Sequence, residues 1–258
     1  MRQLLFTLAV LPVVFAQVPS APPAILQIAC EPGALASPQK PYAEAKAAIE
    51  AVAMSAATGT PQTWTMELHD NFASIEDLDK AVGSVAGGSA GRDAYGQPQQ
   101  TEEVLTTPRT MIAVFQREWS YRPDEAARLL SKARYVGVTI HRIRVGLEGD
   151  FGELLRLRQL TNDSVNLDRP EMAYHVVSGA PAGVYLVIAP LTTLRAFDEG
   201  VADVPAFAAP VAAERAKSAP KQADIEIARE HLLFRVEPRL SYVSDDFAAG
   251  DEAFWRGK

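Results

Sequence analysis

The chain of 258 residues is 48% hydrophobic and 22% charged, which is typical of a globular protein and not of a disordered or fibrous one. This length is sufficient for one large domain or two small ones. The formal net charge is −7 and the arginines are scattered along the chain. The clustered basic surface of a nucleic-acid-binding protein is therefore not expected.

The first residues have the pattern of a secretory signal peptide. Arg2 supplies a positive charge, residues 4–15 form a short apolar run, and Val14 and Ala16 are the small residues that precede a cleavage site. We predict a signal peptide over residues 1–16 and a protein that is periplasmic or secreted. The apolar run is too short to span a bilayer comfortably, although an uncleaved N-terminal anchor is the alternative.

Cys30 is the only cysteine, so that no intramolecular disulfide can form. Residues 24–30 are predicted to form a strand, which Glu31-Pro32-Gly33 ends. Lipid attachment and an intermolecular bridge are alternatives for Cys30. We expect a small apolar residue on a buried strand.

The rest of the first half alternates between helical and extended patterns. We predict a helix over 42–57 from its alanine content and apolar stripe, a strand over 63–68, and a short helix that begins at Ser74. Residues 83–108 are polar and rich in glycine, which predicts a long loop insertion. A strand over 109–119 follows.

The second half gives a clearer order of elements. The predicted elements are a helix over 122–132, a strand over 135–145, a helix over 151–160, strands over 172–177 and 184–189, a helix over 191–199, an alanine-rich helical stretch over 205–230, and a strand over 232–242. This is the strand-helix-strand-strand-helix-strand order of a ferredoxin-like unit. The first half lacks a clear strand between its first helix and residue 63.

A short pattern occurs twice, over residues 110–121 and 231–242. Each copy is apolar, then charged, and ends in Ser-Tyr before an acidic turn. A pattern used twice indicates a repeated supersecondary unit. We predict a first repeat over 17–122, which carries the 83–108 insertion, and a second repeat over 123–258. Tyr121 and Tyr242 could be catalytic, but their duplication favours a feature of the scaffold, in which each tyrosine packs its ring and anchors its hydroxyl to the backbone.

The element order, the duplication and several local sequences resemble the dimeric α+β barrel superfamily, which includes antibiotic-biosynthesis-monooxygenase-like and NIPSNAP-like domains. The similar segments are Ile25-Leu26-Gln27-Ile28, the following Glu31-Pro32-Gly33, the helix from Tyr42, and the closing residues 252–256. The resemblance implies an α+β protein whose two tandem ferredoxin-like repeats pack as an intrachain dimeric α+β barrel. It also implies a cavity between the two sheets.

Some enzymes of this superfamily use Asn, Trp and His in the cavity. Trp64, His69 and Asn71 do not have the spacing of that triad, so we do not assign it. Histidine is a natural general base, and paired arginines bind carboxylates. The candidates are His141, His175 and Tyr174 for catalysis, and Arg142, Arg144 and Tyr185 for ligand binding. The alternatives are structural strand histidines and arginines that reach solvent.

No metal-ligand spacing, glycine-rich phosphate loop or nucleophile elbow is present, so we predict neither a metal nor another cofactor. We predict an exported protein that binds a small apolar ligand in the barrel cavity without catalysis, as a monomeric pseudo-dimer or a homodimer. The alternatives are a cofactor-independent monooxygenase-like enzyme and a protein–protein interaction module that uses the 83–108 loop. A cavity lined jointly by His141, His175 and Tyr174 would favour the enzyme.

Overall fold

Eight strands close into one barrel in the computed structural model, which describes residues 19–33, 49–69, 74–77, 109–200 and 222–257. The strands are β1 (Ile25–Pro32), β2 (Ile49–Ala56), β3 (Gln62–His69), β4 (Arg109–Phe115), β5 (Tyr135–Ile143), β6 (Met172–Ser178), β7 (Val184–Leu191) and β8 (Glu226–Val236). Their order around the barrel is β1-β3-β2-β8-β5-β7-β6-β4, and all neighbours are antiparallel. The first four strands and the last four strands therefore have the same neighbour order: fourth, first, third, second.

The named helices of the described residues belong to the second half of the chain. They are α1 (Pro123–Leu129), α2 (Glu148–Ser164), α3 (Leu194–Gly200), α4 (Asp245–Ala248) and α5 (Glu252–Arg256), with 3-10 helices at Arg117–Trp119 and Leu130–Lys132. Pro123 stands at the start of α1, where its missing N–H breaks no helical hydrogen bond. No helix in the described part of the chain combines the length and the hydropathy needed to cross a membrane.

Alternate residues of every strand point into the barrel, as the two-residue period of a strand requires. Apart from charged residues near the two ends, the interior residues are apolar and form one cluster with almost no solvent exposure. Trp64 and Phe234 meet across it with ring centroids 5.0 Å apart, and Tyr174 is fully buried in the same cluster. In an eight-stranded barrel the side chains can fill the lumen. These packed side chains occupy the space between the sheets in which we predicted a cavity.

One end of the barrel, which we call the capped end, is closed by helices. It is the end at which β4 and β8 finish, and α1, α4 and α5 follow these two strands in the chain. Leu130, Phe247 and Trp255 belong to the same cluster as the barrel interior. Trp255 Nε1 donates a hydrogen bond to the Ser131 carbonyl oxygen over 2.6 Å, which joins the two helical segments. The opposite end, at which β4 begins, is called the Arg109 end below.

The two Ser-Tyr motifs make matching contacts near the capped end. Ser120 Oγ accepts a hydrogen bond from the Ala173 backbone N–H over 2.8 Å, and Ser241 Oγ accepts one from the Ala53 N–H over 2.9 Å. In both motifs the tyrosine that follows forms a backbone bridge to the residue two positions before that alanine. The serine hydroxyl and the tyrosine backbone therefore make the anchoring contacts. We expected the tyrosine hydroxyl to make them instead.

The prediction of a helix over 42–57 is wrong for residues 49–56, which form β2. Ala51, Val52, Ala53 and Met54 are all buried, so both faces of this strand are covered. A strand buried on both faces shows no polar alternation, and its alanines favoured a helix in the sequence. β2 is the strand that the first half lacked.

Other predicted boundaries also need correction. Residues 226–230 are strand and not helix, and β8 ends at Val236 instead of at residue 242. β4 ends at Phe115 and is followed by the 3-10 helix. The predicted signal peptide over 1–16 and the predicted loop over 83–108 lie outside the described residues. Cys30 is buried and free as predicted, and burial raises the pKa of its thiol to about 12.

Candidate functional site

A second apolar cluster lies outside the barrel, between helix α2 and the outward-facing side chains of the second half's sheet. We call it the α2 cluster. Its buried members are Phe151, Leu154 and Leu155 of α2, Ile143, Ala173, Tyr185 and Val187 of the strands, and Ile225, while Trp119 and Leu147 pack at its edge. Five of the six predicted site residues lie in β5, β6 or β7, which the cluster covers, and Arg144 directly follows β5.

His141 points outward from β5 beneath α2 and is only 2% exposed. Its Nδ1 lies 2.6 Å from Oε1 of Glu226, the first residue of β8. Burial lowers the pKa of His141 below its ordinary value, although the bond to Glu226 acts in the opposite direction. A neutral imidazole beside a carboxylate donates from the nitrogen that faces it, which leaves the other nitrogen as an acceptor. His141 Nε2 is buried and has no hydrogen-bond partner in the part of the chain that the structure describes.

The charge state of Glu226 supports this assignment. Burial acts to raise the pKa of Glu226, but the hydrogen bond with His141 and the nearby Arg229 outweigh it and bring the pKa below its ordinary value. Gln222 Nε2 donates to the other carboxylate oxygen over 2.9 Å. The carboxylate is therefore ionised at neutral pH, and it fixes both the orientation and the tautomer of His141.

Aromatic rings connect His141 to the surface. The Phe151 ring lies 5.1 Å from the His141 ring and 5.1 Å from the Tyr185 ring. His175 stacks on Tyr185 with centroids 4.5 Å apart and an interplanar angle of 14°, and Trp119 lies 5.2 Å from Tyr185. His175 is half-buried, and burial lowers its pKa. The structure thus brings His141, His175 and Tyr185 together on the outer face of the sheet.

Tyr174 is not part of this group. It precedes His175 on β6, and successive strand residues point to opposite faces. Its side chain lies in the barrel interior, where burial raises its pKa and the hydroxyl donates to the Pro23 carbonyl oxygen over 3.2 Å. His141, His175 and Tyr174 therefore do not line one closed cavity, which is the arrangement that would have favoured an enzyme.

Arg142 and Arg144 also separate. β5 ends at Ile143, and its pairing with β8 shifts register between Arg142 and Ile143. Arg144 Nε donates to the backbone oxygen of Asp224 over 3.0 Å. Arg142 Nε is buried and has no hydrogen-bond partner. The two guanidinium groups do not form the paired carboxylate site that the sequence suggested.

A cleft of about 320 Å³ opens along one side of α2. It is lined by Leu147, Leu154, Leu157 and Ile225, with Asp150, Glu153 and Asp224 as its polar groups. Leu154 and Ile225 also belong to the α2 cluster, and Ile225 immediately precedes Glu226. The cleft therefore borders the α2 cluster near Glu226, the residue that contacts His141. Within the described residues no group of three or more His, Cys, Asp or Glu side chains could hold a metal ion.

The sequence did not identify Glu226 or Trp119 as parts of this site. Glu226 fell in a predicted helix, and Trp119 was taken as the end of a strand. A useful signal is Phe151, the aromatic residue at the start of the predicted helix over 151–160, which contacts both His141 and Tyr185. The acid that orients His141 is 85 residues away in the chain, so only the β5–β8 register brings the two together.

No protein-family model matches the chain, and no curated protein sequence matches it. Solved structures share its fold. An anthrone oxidase-like protein has a TM-score of 0.51 at 10% identity, over 83% of this chain and 92% of that one. A monooxygenase-like protein from Fusobacterium nucleatum has a TM-score of 0.47 at 8% identity, over 85% and 97%. Chlorite dismutase from Candidatus Nitrospira defluvii, in complex with imidazole, has a TM-score of 0.46 at 12% identity, over 84% and 92%.

At these identities the likeness concerns the fold alone. The first of these structures, with a TM-score above 0.5, shows that the closed antiparallel barrel is of the α+β type found in the anthrone oxidase-like protein. This agrees with the barrel fold that the resemblance implies.

Proposed function

We propose that the protein binds a small apolar ligand in the cleft beside α2, with a hydrogen-bond donor of the ligand directed at His141 Nε2. His141 does not line the cleft, so Leu154 or Ile225, which belong both to the cleft and to the α2 cluster, must shift for the ligand to reach it. The observation that carries this proposal is the buried, unpaired Nε2 of a histidine whose other nitrogen is fixed by Glu226. An unpaired buried acceptor costs about 1–3 kcal/mol, and such groups are rare in folded proteins unless they serve a purpose.

The surroundings indicate the kind of ligand. A volume of about 320 Å³ is at the lower end of the range for ligand sites, which suits a molecule of one or two rings. The lining is mainly aliphatic, and the rings of Phe151 and Tyr185 lie behind it. Aromatic side chains favour aromatic ligands through stacked and edge-to-face contacts. A small aromatic alcohol or amine combines both features.

Two matched probes test the proposal. We would measure the binding of 2-naphthol and of naphthalene by calorimetry or by fluorescence, in the wild type and in His141→Phe. A neutral hydrogen bond contributes about 0.5–1.5 kcal/mol, so 2-naphthol should bind about 2- to 13-fold more weakly to the variant, whereas naphthalene should be unaffected. Tyr174→Phe, on the opposite face of the sheet, is the control. An unchanged ratio of the two affinities in His141→Phe would refute the proposal.

A second candidate function is a cofactor-independent monooxygenase-like reaction at the same site. The observation that favours it is the pairing of His141 with Glu226, because a carboxylate-oriented histidine is a competent general base. Dioxygen would be the co-reactant, and His141 would take the proton of a phenol. Oxygen consumption that the bound phenol induces, and that His141→Phe abolishes, would support the enzyme. Binding of the phenol without oxygen consumption would leave ligand binding as the function.

We also propose that the chain consists of two tandem ferredoxin-like repeats, over 17–122 and 123–258, which pack as an intrachain barrel. The shared strand order of the two halves and their matching Ser-Tyr contacts support it. The barrel then needs no second subunit, so we expect a monomer. Light scattering should give a mass near the 27.9 kDa of one chain, less any cleaved segment. Twice that mass would contradict the monomer.

Export remains part of the proposal. Expression of the full chain in a bacterium and N-terminal sequencing of the periplasmic fraction should show a mature protein that begins at Gln17. A protein that keeps Met1 and stays in the membrane fraction would indicate an uncleaved anchor instead.

The alternative of an interaction module that uses residues 83–108 is tested by deleting this segment. If the shortened protein still captures the same partner proteins, the segment is not the interaction module.

A further inference from the structure

Three charged side chains continue the interior-facing register at the Arg109 end of the barrel. Arg109 on β4, Arg142 on β5 and Glu230 on β8 each lie two residues from an interior apolar side chain on the same strand. Because strand residues alternate between faces, these three lie in the last interior layer at that end. The strands that carry Arg109 and Glu230 stand on opposite sides of the barrel.

The two arginines are poorly neutralised. The Nε atoms of Arg109 and Arg142 are buried, and among the described residues they have no hydrogen-bond partner. Within the described residues neither guanidinium has a carboxylate oxygen within 4.0 Å. Arg109 contacts the thiol of Cys30, but this thiol is neutral because burial raises its pKa to about 12. Both side chains are partly buried, and a partly desolvated cation without an anionic partner is stabilised by a partner from outside the chain.

Glu230 offsets only part of this charge. Burial raises its pKa above the ordinary value, while the charge of Arg109 acts to lower it. Even with Glu230 fully ionised, the described residues of this layer carry two guanidinium groups and one carboxylate, a net charge of +1. Guanidinium groups present their donors in a planar fork that matches the oxygens of carboxylate and phosphate groups.

We propose that the Arg109 end of the barrel binds a small oxyanion, with a carboxylate or phosphate group held between Arg109 and Arg142. This site is separate from the cleft beside α2, because His141 and Arg142 are successive residues of β5 and so face opposite sides of the sheet. The apolar interior behind the charged layer is filled by side chains, which favours a small anion over a long-chain acid.

Calorimetry with inorganic phosphate and with acetate as separate probes tests the site, in a buffer free of other oxyanions. We expect one saturable site per chain, and at least tenfold weaker binding in Arg109→Gln and in Arg142→Gln. Arg156→Gln is the matched control, since Arg156 is an exposed arginine already paired with Glu153. The preferred probe identifies the source, phosphate or organic acid. Equal affinity in all four proteins, or no saturation, would overturn the proposal.

Glu230→Gln gives an independent test that does not depend on the arginine variants being stable. It removes the competing negative charge with little change of shape, so oxyanion binding should become about three- to tenfold tighter. If Arg109 and Glu230 served only to stabilise each other, this variant would lose stability and would gain no affinity. That result would also refute the anion site.

Discussion

A glycine on α2 makes the aromatic part of the candidate site testable. A Cβ atom at Gly152 would lie 2.6 Å from Nε1 of Trp119 and within 2.8 Å of two further atoms of the indole ring. A Cβ atom at Gly149 of the same helix would have nothing within 4 Å. Gly152 therefore allows the indole of Trp119 to lie directly against α2, which closes the edge of the α2 cluster.

The two glycines allow the packing effect to be separated from helix propensity. Alanine is favoured over glycine within a helix by about 0.5–1 kcal/mol, and this gain applies to both positions. Gly149 lies in the first turn of α2, so its gain should be at the lower end. Overpacking of a filled site costs about 1–3 kcal/mol. We therefore expect Gly152→Ala to unfold with a free energy about 1–3 kcal/mol below that of Gly149→Ala.

Urea denaturation followed by circular dichroism and by tryptophan fluorescence measures this difference. In a protein of this size, 1 kcal/mol corresponds to about 2–4 °C in the midpoint of thermal unfolding. Gly152→Ala should also alter the emission of Trp119, whereas Gly149→Ala should not. Equal stability of the two variants would show that the indole does not pack on α2, and the geometry of the site would need revision.

Three further predictions address the scaffold and the charge of the outer sheet face. Ser120→Ala and Ser241→Ala should each lower the free energy of unfolding by about 1–3 kcal/mol, because each leaves a backbone N–H without its acceptor. A loss below about 0.5 kcal/mol in each single variant, with the two losses adding in the double variant, would contradict the anchoring role. Burial and nearby cations lower the pKa of His231 from 6.5 to about 4, so the unfolded chain takes up this proton first as the pH falls. Stability should therefore decrease from pH 6.5 towards pH 4, and His231→Gln should show a shallower decrease in urea titrations. Tyr174→Phe should cost about 1 kcal/mol through loss of the bond to Pro23, and an unchanged midpoint would exclude that bond.

Strand pattern predicted most of the second half correctly, because its strands carry clear signals. The predicted strands over 172–177 and 184–189 correspond to β6 and β7 within two residues at each end. The same reasoning failed for β2, where burial on both faces removed the polar alternation. Where tertiary contacts cover both faces of a strand, single-sequence patterns cannot tell strand from helix.

The candidate site shows the same limit. His141, His175 and Tyr185 were selected from the sequence and do lie together, but outside the barrel and not within it. β7 is apolar at every position and buried on both faces, so the sequence does not show which face meets the barrel interior. Alternation alone could have separated Tyr174 from His175, since neighbours on a strand cannot share a face.

The register of the barrel identifies the position in the first half that corresponds to each site residue. The two serine anchors equate Ala173 with Ala53, and the strand pairings extend this equivalence to the neighbouring strands. The first-half counterparts of His141, His175 and Tyr185 are Glu31, Ser55 and Thr63. None of the three counterparts is a histidine or an aromatic residue. The arrangement that we propose for ligand binding therefore occurs once in the barrel.

The same equivalence pairs Arg109 with Glu230. In a barrel built from two identical halves, this position would carry the same charge twice, and the two like charges would repel each other across the lumen. A single chain can place opposite charges there and can add Arg142 from one half only. Each proposed site thus depends on differences between the halves. Titrations with 2-naphthol and with phosphate should therefore each saturate at one molecule per chain, and saturation at two would show that the first half also binds.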